Sequence, residues 1–214
     1  MTPTERVRRL LEEERALTSQ ERWDAAAALF RDNAELVTSN YELLWDAGWT
    51  EYKLGRLSTA ETYLKKAIDA KPTCHIGYWA LGTVLSETDR FEDSEHNLIK
   101  ALVLRDGLVG RLSLALLYMR KNMLALAEAV HKEGLRLRPN DRARIEGFAD
   151  FLSDLGRDEE AGKLYESAKR LPTREERNTT RRAVKEPAPT DLGPANGAHS
   201  QLSRRPRGRK PSAT

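Results

Sequence analysis

Four positions punctuate this chain at almost constant intervals. Gly55, Asp89, Asn122 and Gly156 stand 34, 33 and 34 residues apart. Each is a residue type that tolerates the left-handed backbone of a helix-ending turn. Five residues after each comes a small side chain: Ala60, Ser94, Ala127 and Ala161. Seven further on are Ala67, Ala101, Gly134 and Ala168, and a breaker follows at Pro72, Asp106, Pro139 and Pro172. A period in this range describes stacked supersecondary units, here a helix, a turn and a second helix. Small residues at fixed points of the second helix let the neighbouring helices approach closely.

Within that frame, 41–74 carries Leu44, Ala47, Gly48, Gly55, Ala60, Ala67 and Pro72. Residues 75–107 carry Tyr78, Leu81, Gly82, Phe91 and Ala101. Residues 108–141 carry Leu114, Ala115, Tyr118, Ala127 and Pro139, and 142–175 carry Gly156, Ala161, Tyr165 and Ala168. A degenerate first unit, 7–40, follows a short leader at 1–6 and keeps Leu10, Leu17, Trp23, Ala26 and Phe30. In these residues the chain resembles the tetratricopeptide repeat family over roughly 7–175. The resemblance implies an all-α fold, a right-handed superhelical array of helix–turn–helix repeats. It also implies a concave groove lined by the first (A) helix of each unit, which holds a protein partner and carries no catalysis.

Two departures matter. The 33-residue step leaves helix A of 108–141 open by one residue. One register sets Leu114, Ala115 and Tyr118 inward and puts Arg111 where a large apolar residue belongs; the other puts Leu112 there. The first unit has Glu13 and Glu14 in place of the glycine step, which suits a terminal cap whose outer face meets water.

The stretch LLWDAGWTEYKLG at 43–55 then divides into two faces. Leu44, Ala47 and Gly48 are the packing set, so Trp45, Trp49 and Tyr52 fall on positions that line the groove in this family. Trp79 repeats the place of Trp45 one unit on, with Thr83 after it, and the third unit adds Leu112, Leu116 and Met119. Four such aromatics can bury ~600–1,000 Å² in all, more than the ~300–600 Å² of a typical largest apolar patch. Either the rings pack on neighbouring A helices, or a partner segment, the chain's own tail or a second copy covers them. Members of the family that hold the acidic tails of heat-shock chaperones use Lys and Asn clamps. Here Leu11 and Arg15, Trp45 and Trp49, and Trp79 and Thr83 occupy those places, so that clamp is absent. In architecture and groove chemistry the chain is more similar to the secretion chaperones of bacteria. Glu146, Asp150 and Asp154, at four-residue spacing, are either a solvated cap face or a hold for a basic residue.

Nothing in the pattern calls for an enzyme, a metal or a cofactor. Cys74 and His75 adjoin at a repeat junction, and His96 and His131 lie on different B helices. They read as a boundary thiol and exposed imidazoles, short of the three or four ligands of a zinc site. One cysteine excludes an internal disulfide framework and fits a reducing compartment. With no long apolar run either, a cytoplasmic protein is expected; a eukaryotic source would allow the nucleus.

The formal charge of +3 hides a split. Residues 1–175 hold 27 basic and 30 acidic groups (27 − 30 = −3), and 176–214 hold 9 and 3 (9 − 3 = +6). The proline-rich, polar composition of 176–214 is that of disorder. Its cluster Arg204, Arg205, Arg207, Arg209 and Lys210 suits phosphate backbones. PRGRKP resembles the AT-hook, whose Arg-Gly-Arg core enters the minor groove, although Lys210 stands where that family has proline. The leading expectation is a non-catalytic scaffold or chaperone-like adaptor that takes an apolar or amphipathic peptide. The alternatives are an adaptor that links a protein partner to nucleic acid through the tail, and a self-assembling repeat protein.

Overall fold

The computed structural model describes residues 2–173 and 175–179, and among them there is no strand. Among the described residues up to Pro172, eleven helices follow in order: α1 (Pro3–Thr18), α2 (Trp23–Asp32), α3 (Ala34–Thr38), α4 (Tyr41–Lys53), α5 (Leu57–Ala70), α6 (His75–Glu87), α7 (Phe91–Leu104), α8 (Leu108–Arg120), α9 (Leu124–Leu137), α10 (Arg142–Asp154) and α11 (Asp158–Lys169). They pack as successive hairpins in the all-α superhelical array. The A helices are α1, α4, α6, α8 and α10.

The turns are built alike. Gly55 and Gly156 have φ of 73° and 72°, and Asp89 and Asn122 have 56° and 54°. The amide after each reaches back to a carbonyl near the end of the A helix: Arg56 to Glu51, Arg90 to Leu85, Met123 to Tyr118 and Arg157 to Leu152. That is the helix-ending 6→1 bond of a left-handed cap. The first unit repeats it with Glu21, φ 56°, and the Arg22 amide bonded to the Leu17 carbonyl. A glutamate in this conformation is strained, because its Cβ crowds the backbone. Glu21→Gly is therefore expected to raise stability by roughly 1 kcal/mol, read as a higher urea midpoint. An unchanged or lower midpoint would contradict the shared turn geometry.

The small residues do the close packing. Ala26, Ala60, Ser94, Ala127 and Ala161 are all buried. A Cβ on Gly48 would lie 2.8 Å from Leu64 Cγ, and one on Gly82 would lie 2.8 Å from Leu98 Cγ. The same glycine–leucine contact thus recurs one period along. The Ser94 hydroxyl closes the second contact by donating to the Gly82 carbonyl at 2.7 Å. In α8, Leu114, Ala115 and Tyr118 are buried and Leu112 is 36 % exposed, so packing follows the register that turns those three inward. Arg111 is accommodated there by ion pairing with Asp106, which also accepts from Arg144.

The first unit differs from expectation twice. Its second helix is split between α2 and α3 at Asn33, the residue 34 before Ala67. The Asn33 side-chain amide donates to the Leu29 carbonyl at 2.9 Å, taking a backbone acceptor for itself. Glu14 does not face water: it is 7 % exposed, although Glu13 is open. Glu14 stands 34 residues before Gly48, so the repeat geometry turns it toward α4.

Thr173 and residues 175–179 belong to a separate unit. Residues 175–179 are helical, opened by a reciprocal cap in which the Thr173 amide meets Glu176 and the Glu176 amide meets the Thr173 hydroxyl. Arg204, Arg205, Arg207, Arg209 and Lys210 lie outside the described residues. No helix among the described residues is long and apolar enough to cross a membrane.

Candidate functional site: the inner face of the A helices

Four aromatic side chains meet along the A helices. Trp45 and Trp49, one turn apart on α4, lie nearly parallel with centroids 6.5 Å apart. Trp49 also touches Tyr52 at 4.9 Å and reaches across to Trp79 of α6 at 4.8 Å. The Trp79 indole then donates to the Ser113 hydroxyl of α8 at 2.8 Å. The rings are half-buried, each shielding another from water, so the open apolar area is smaller than four free rings would give. Burial of its phenol pushes the Tyr52 pKa up.

The three indoles of this row wall two hollows of about 550 Å³ and about 460 Å³ that share Trp45, His75 and Ile76. The first lies among α1, α4 and α6, the second among α6, α8 and the start of α10. The Trp45 indole N–H is buried and has no acceptor among the described residues. On α8 the apolar surface continues with Leu112 and with Leu116, which is 55 % exposed. Met119 is half-buried against the core beneath. Thr83 does not present a free hydroxyl, since it donates to the Trp79 carbonyl at 3.0 Å.

The acidic trio of α10 is divided among separate tasks. Glu146 is paired with Arg142 at 2.7 Å, and Asp150 accepts from the Tyr165 hydroxyl at 2.6 Å. Asp154 is exposed. Two of the three are therefore occupied within the last hairpin.

The strongest electrostatic feature was not singled out from the sequence. Asp46, beside Trp45 on α4, and Glu14 of α1 both line the first hollow. Burial, reinforced by the charges of Glu14 and Glu42, pushes Asp46 up to about 7 against the pull of Arg15. Burial raises Glu14 as well. The available signal was the 34-residue offset from Gly48 to Glu14, which marks an inward position.

Among the other residues considered for chemistry, Cys74 is buried as the residue preceding α6. His131 is not an exposed imidazole. It takes the place held by Leu64 and Leu98 in earlier units and lies 5.4 Å from the Phe148 ring and 5.0 Å from Phe151. Burial lowers its pKa. Among the described residues no three His, Cys, Asp or Glu side chains gather as a metal cluster. Exposed apolar residues also occur on the B helices, at Ile99 and Val103 of α7 and Leu124, Leu126 and Leu137 of α9.

Comparison with known proteins agrees with this architecture. Residues 41–74 match the family model of a tetratricopeptide repeat. No curated protein matches the chain significantly. Among solved structures, the tetratricopeptide repeat protein TTC0263 of Thermus thermophilus is 23% identical with a TM-score of 0.64, over 83% of this chain and 97% of that one. PilF of Pseudomonas aeruginosa is 17% identical with a TM-score of 0.64, over 80% and 79%. MamA is 18% identical with a TM-score of 0.57, over 79% and 96%. At these identities the likeness is one of fold. With hairpins in phase along the array and a repeat match on its second unit, the chain has the tetratricopeptide repeat fold.

Proposed function

We propose that the inner face of the array holds an apolar or amphipathic segment of a protein partner, as a non-catalytic adaptor or chaperone-like scaffold. The fold is one of protein-interaction scaffolds in general; the finer reading rests on the aromatic row. Trp45, Trp49, Tyr52 and Trp79 form one contact, whose three indoles wall two hollows, and the apolar surface leads on to Leu112 and Leu116. Large rings at the centre of a groove are the usual anchors of such interfaces, and the groove offers apolar side chains their pockets. The Trp45 donor adds to this. A buried N–H without an acceptor costs ~1–3 kcal/mol, and a main-chain carbonyl of a bound segment would satisfy it.

A random peptide library selected on the full-length protein tests the reading. Selected peptides are expected to lose about 2 kcal/mol of affinity, roughly thirtyfold, on Trp49→Ala, with helix content by circular dichroism unchanged. Trp45→Ala should weaken them too. Affinity left intact by both substitutions would show that the peptide is not held in the groove.

A further inference from the structure

Elsewhere in the array, buried and half-buried carboxylates carry a cation. Glu51 has Arg56, Glu61 has Lys65 and Arg90, Glu128 has Lys132 and Arg157, and Asp106 has Arg111 and Arg144. Glu14 and Asp46 are neighbours that break this pattern. Glu14 is more than nine-tenths buried, both line the hollow among α1, α4 and α6, and no described amine or guanidinium lies within ion-pair distance of either. The nearest favourable groups are modest: the Thr18 hydroxyl for Glu14, and the more distant charge of Arg15 for both. Lys71, at the rim, is engaged elsewhere. Its ammonium donates to the Tyr41 hydroxyl at 2.7 Å and sits 3.9 Å from that ring's centroid. Glu42 adds a third carboxylate to the same rim. A buried carboxylate without a counter-ion is costly, and two side by side are costlier, because each disfavours the ionised form of the other.

The walls around this pair are aromatic: Trp23, Tyr41, Trp45 and Trp49. Indole and phenol faces attract cations, and the chain already uses two of these rings in that way, with Lys53 5.5 Å over Trp23 and Lys71 over Tyr41. Trp45 and Trp49 carry no cation of the described chain. The hollow thus joins anionic groups lacking a counter-ion, ring faces and one buried indole donor with no acceptor.

We propose that the hollow among α1, α4 and α6 is a receptor for a lysine or arginine side chain of the segment held in the groove, seated between the Glu14 and Asp46 carboxylates and the Trp45–Trp49 stack. This rests on the groove reading and adds direction to it. The basic residue marks the end of the segment at α1, and apolar residues follow toward Trp79, Leu112 and Leu116. Charge complementarity selects this occupant: the two carboxyl groups lack the counter-ion that would hold them ionised, and the surface that leads away from them is apolar.

The test is a parallel selection of one random peptide library on the full-length protein and on its Asp46→Asn variant. On the wild type, lysine or arginine is expected to be enriched about tenfold at one fixed position, followed by apolar residues. Asp46→Asn and Glu14→Gln are each expected to remove most of that enrichment, while Glu35→Gln, an exposed carboxylate on α3, leaves it intact. Selected peptides should also lose about tenfold in affinity when the basic residue becomes norleucine. Peptides that bind through the tryptophans with no basic preference would overturn the proposal and leave the groove reading standing. Retention of no peptide would overturn both, and would mean that the hollow is filled from within the chain or by a second copy.

Discussion

Asp46→Asn is expected to stabilise the array by about 2–4 kcal/mol at pH 8 and by almost nothing at pH 4. In the folded protein burial holds the Asp46 carboxyl protonated up to about 7, whereas its ordinary value is 3.8. Between those values the folded state binds more protons than the unfolded chain, so the stability contribution of Asp46 falls as pH rises through that window. Above it the folded state carries the full cost of a desolvated anion facing Glu14 and Glu42, offset only in part by Arg15. Asparagine has nearly the shape of the protonated acid and never carries the charge. Urea denaturation of both proteins at several pH values reads the effect as a difference, so carboxylates common to both cancel. A difference that stays flat with pH would contradict the proposed burial of Asp46. A residue that lowers stability at neutral pH, yet faces the groove, is what a binding function retained against stability looks like.

The second large effect belongs to the glycine–leucine contact. Leu98→Ala is expected to cost about 2–5 kcal/mol, since it empties a fully buried position between α6 and α7. Gly82→Ala is expected to cost about 1–3 kcal/mol. The new methyl would meet Leu98 Cγ at 2.8 Å and the Ser94 carbonyl oxygen at 3.1 Å, which outweighs the ~1 kcal/mol that alanine contributes as a better helix former. Together the two substitutions should cost less than their sum by ~1 kcal/mol or more, because the methyl then enters space that the leucine vacated. Strict additivity in chemical denaturation would show that the two residues do not share this contact.

Much of the fold was legible because the repeat states its rules several times. The left-handed turns at Gly55, Asp89, Asn122 and Gly156 and the close packing of Ala60, Ser94, Ala127 and Ala161 follow from residue types recurring at one spacing. Glu21 was hidden because a glutamate does not announce a positive φ; only its distance of 34 residues from Gly55 does. The break at Asn33 follows the same logic, since an amide stands where later units have alanine or glycine and takes a carbonyl from the helix. His131 likewise occupies a leucine position. The aromatic side chains of the inner face were legible by type, but their mutual stacking depends on how closely α4 and α6 approach, a tertiary quantity. Glu14 and Asp46 were harder still. A charged residue reads as solvated by default, and their burial comes from the convergence of α1 and α4, which are far apart in sequence.

If the inner face, rather than the apolar spots on the B helices, receives the partner, its indoles respond to binding. Heteronuclear NMR of the full-length protein, titrated with a peptide selected on it, tests this most directly. The indole N–H signals of Trp45, Trp49 and Trp79 are expected to move together, with that of Trp45 shifting downfield as its donor finds an acceptor. Indole signals that stay in place while amides around Ile99, Val103 and Leu126 move would contradict it.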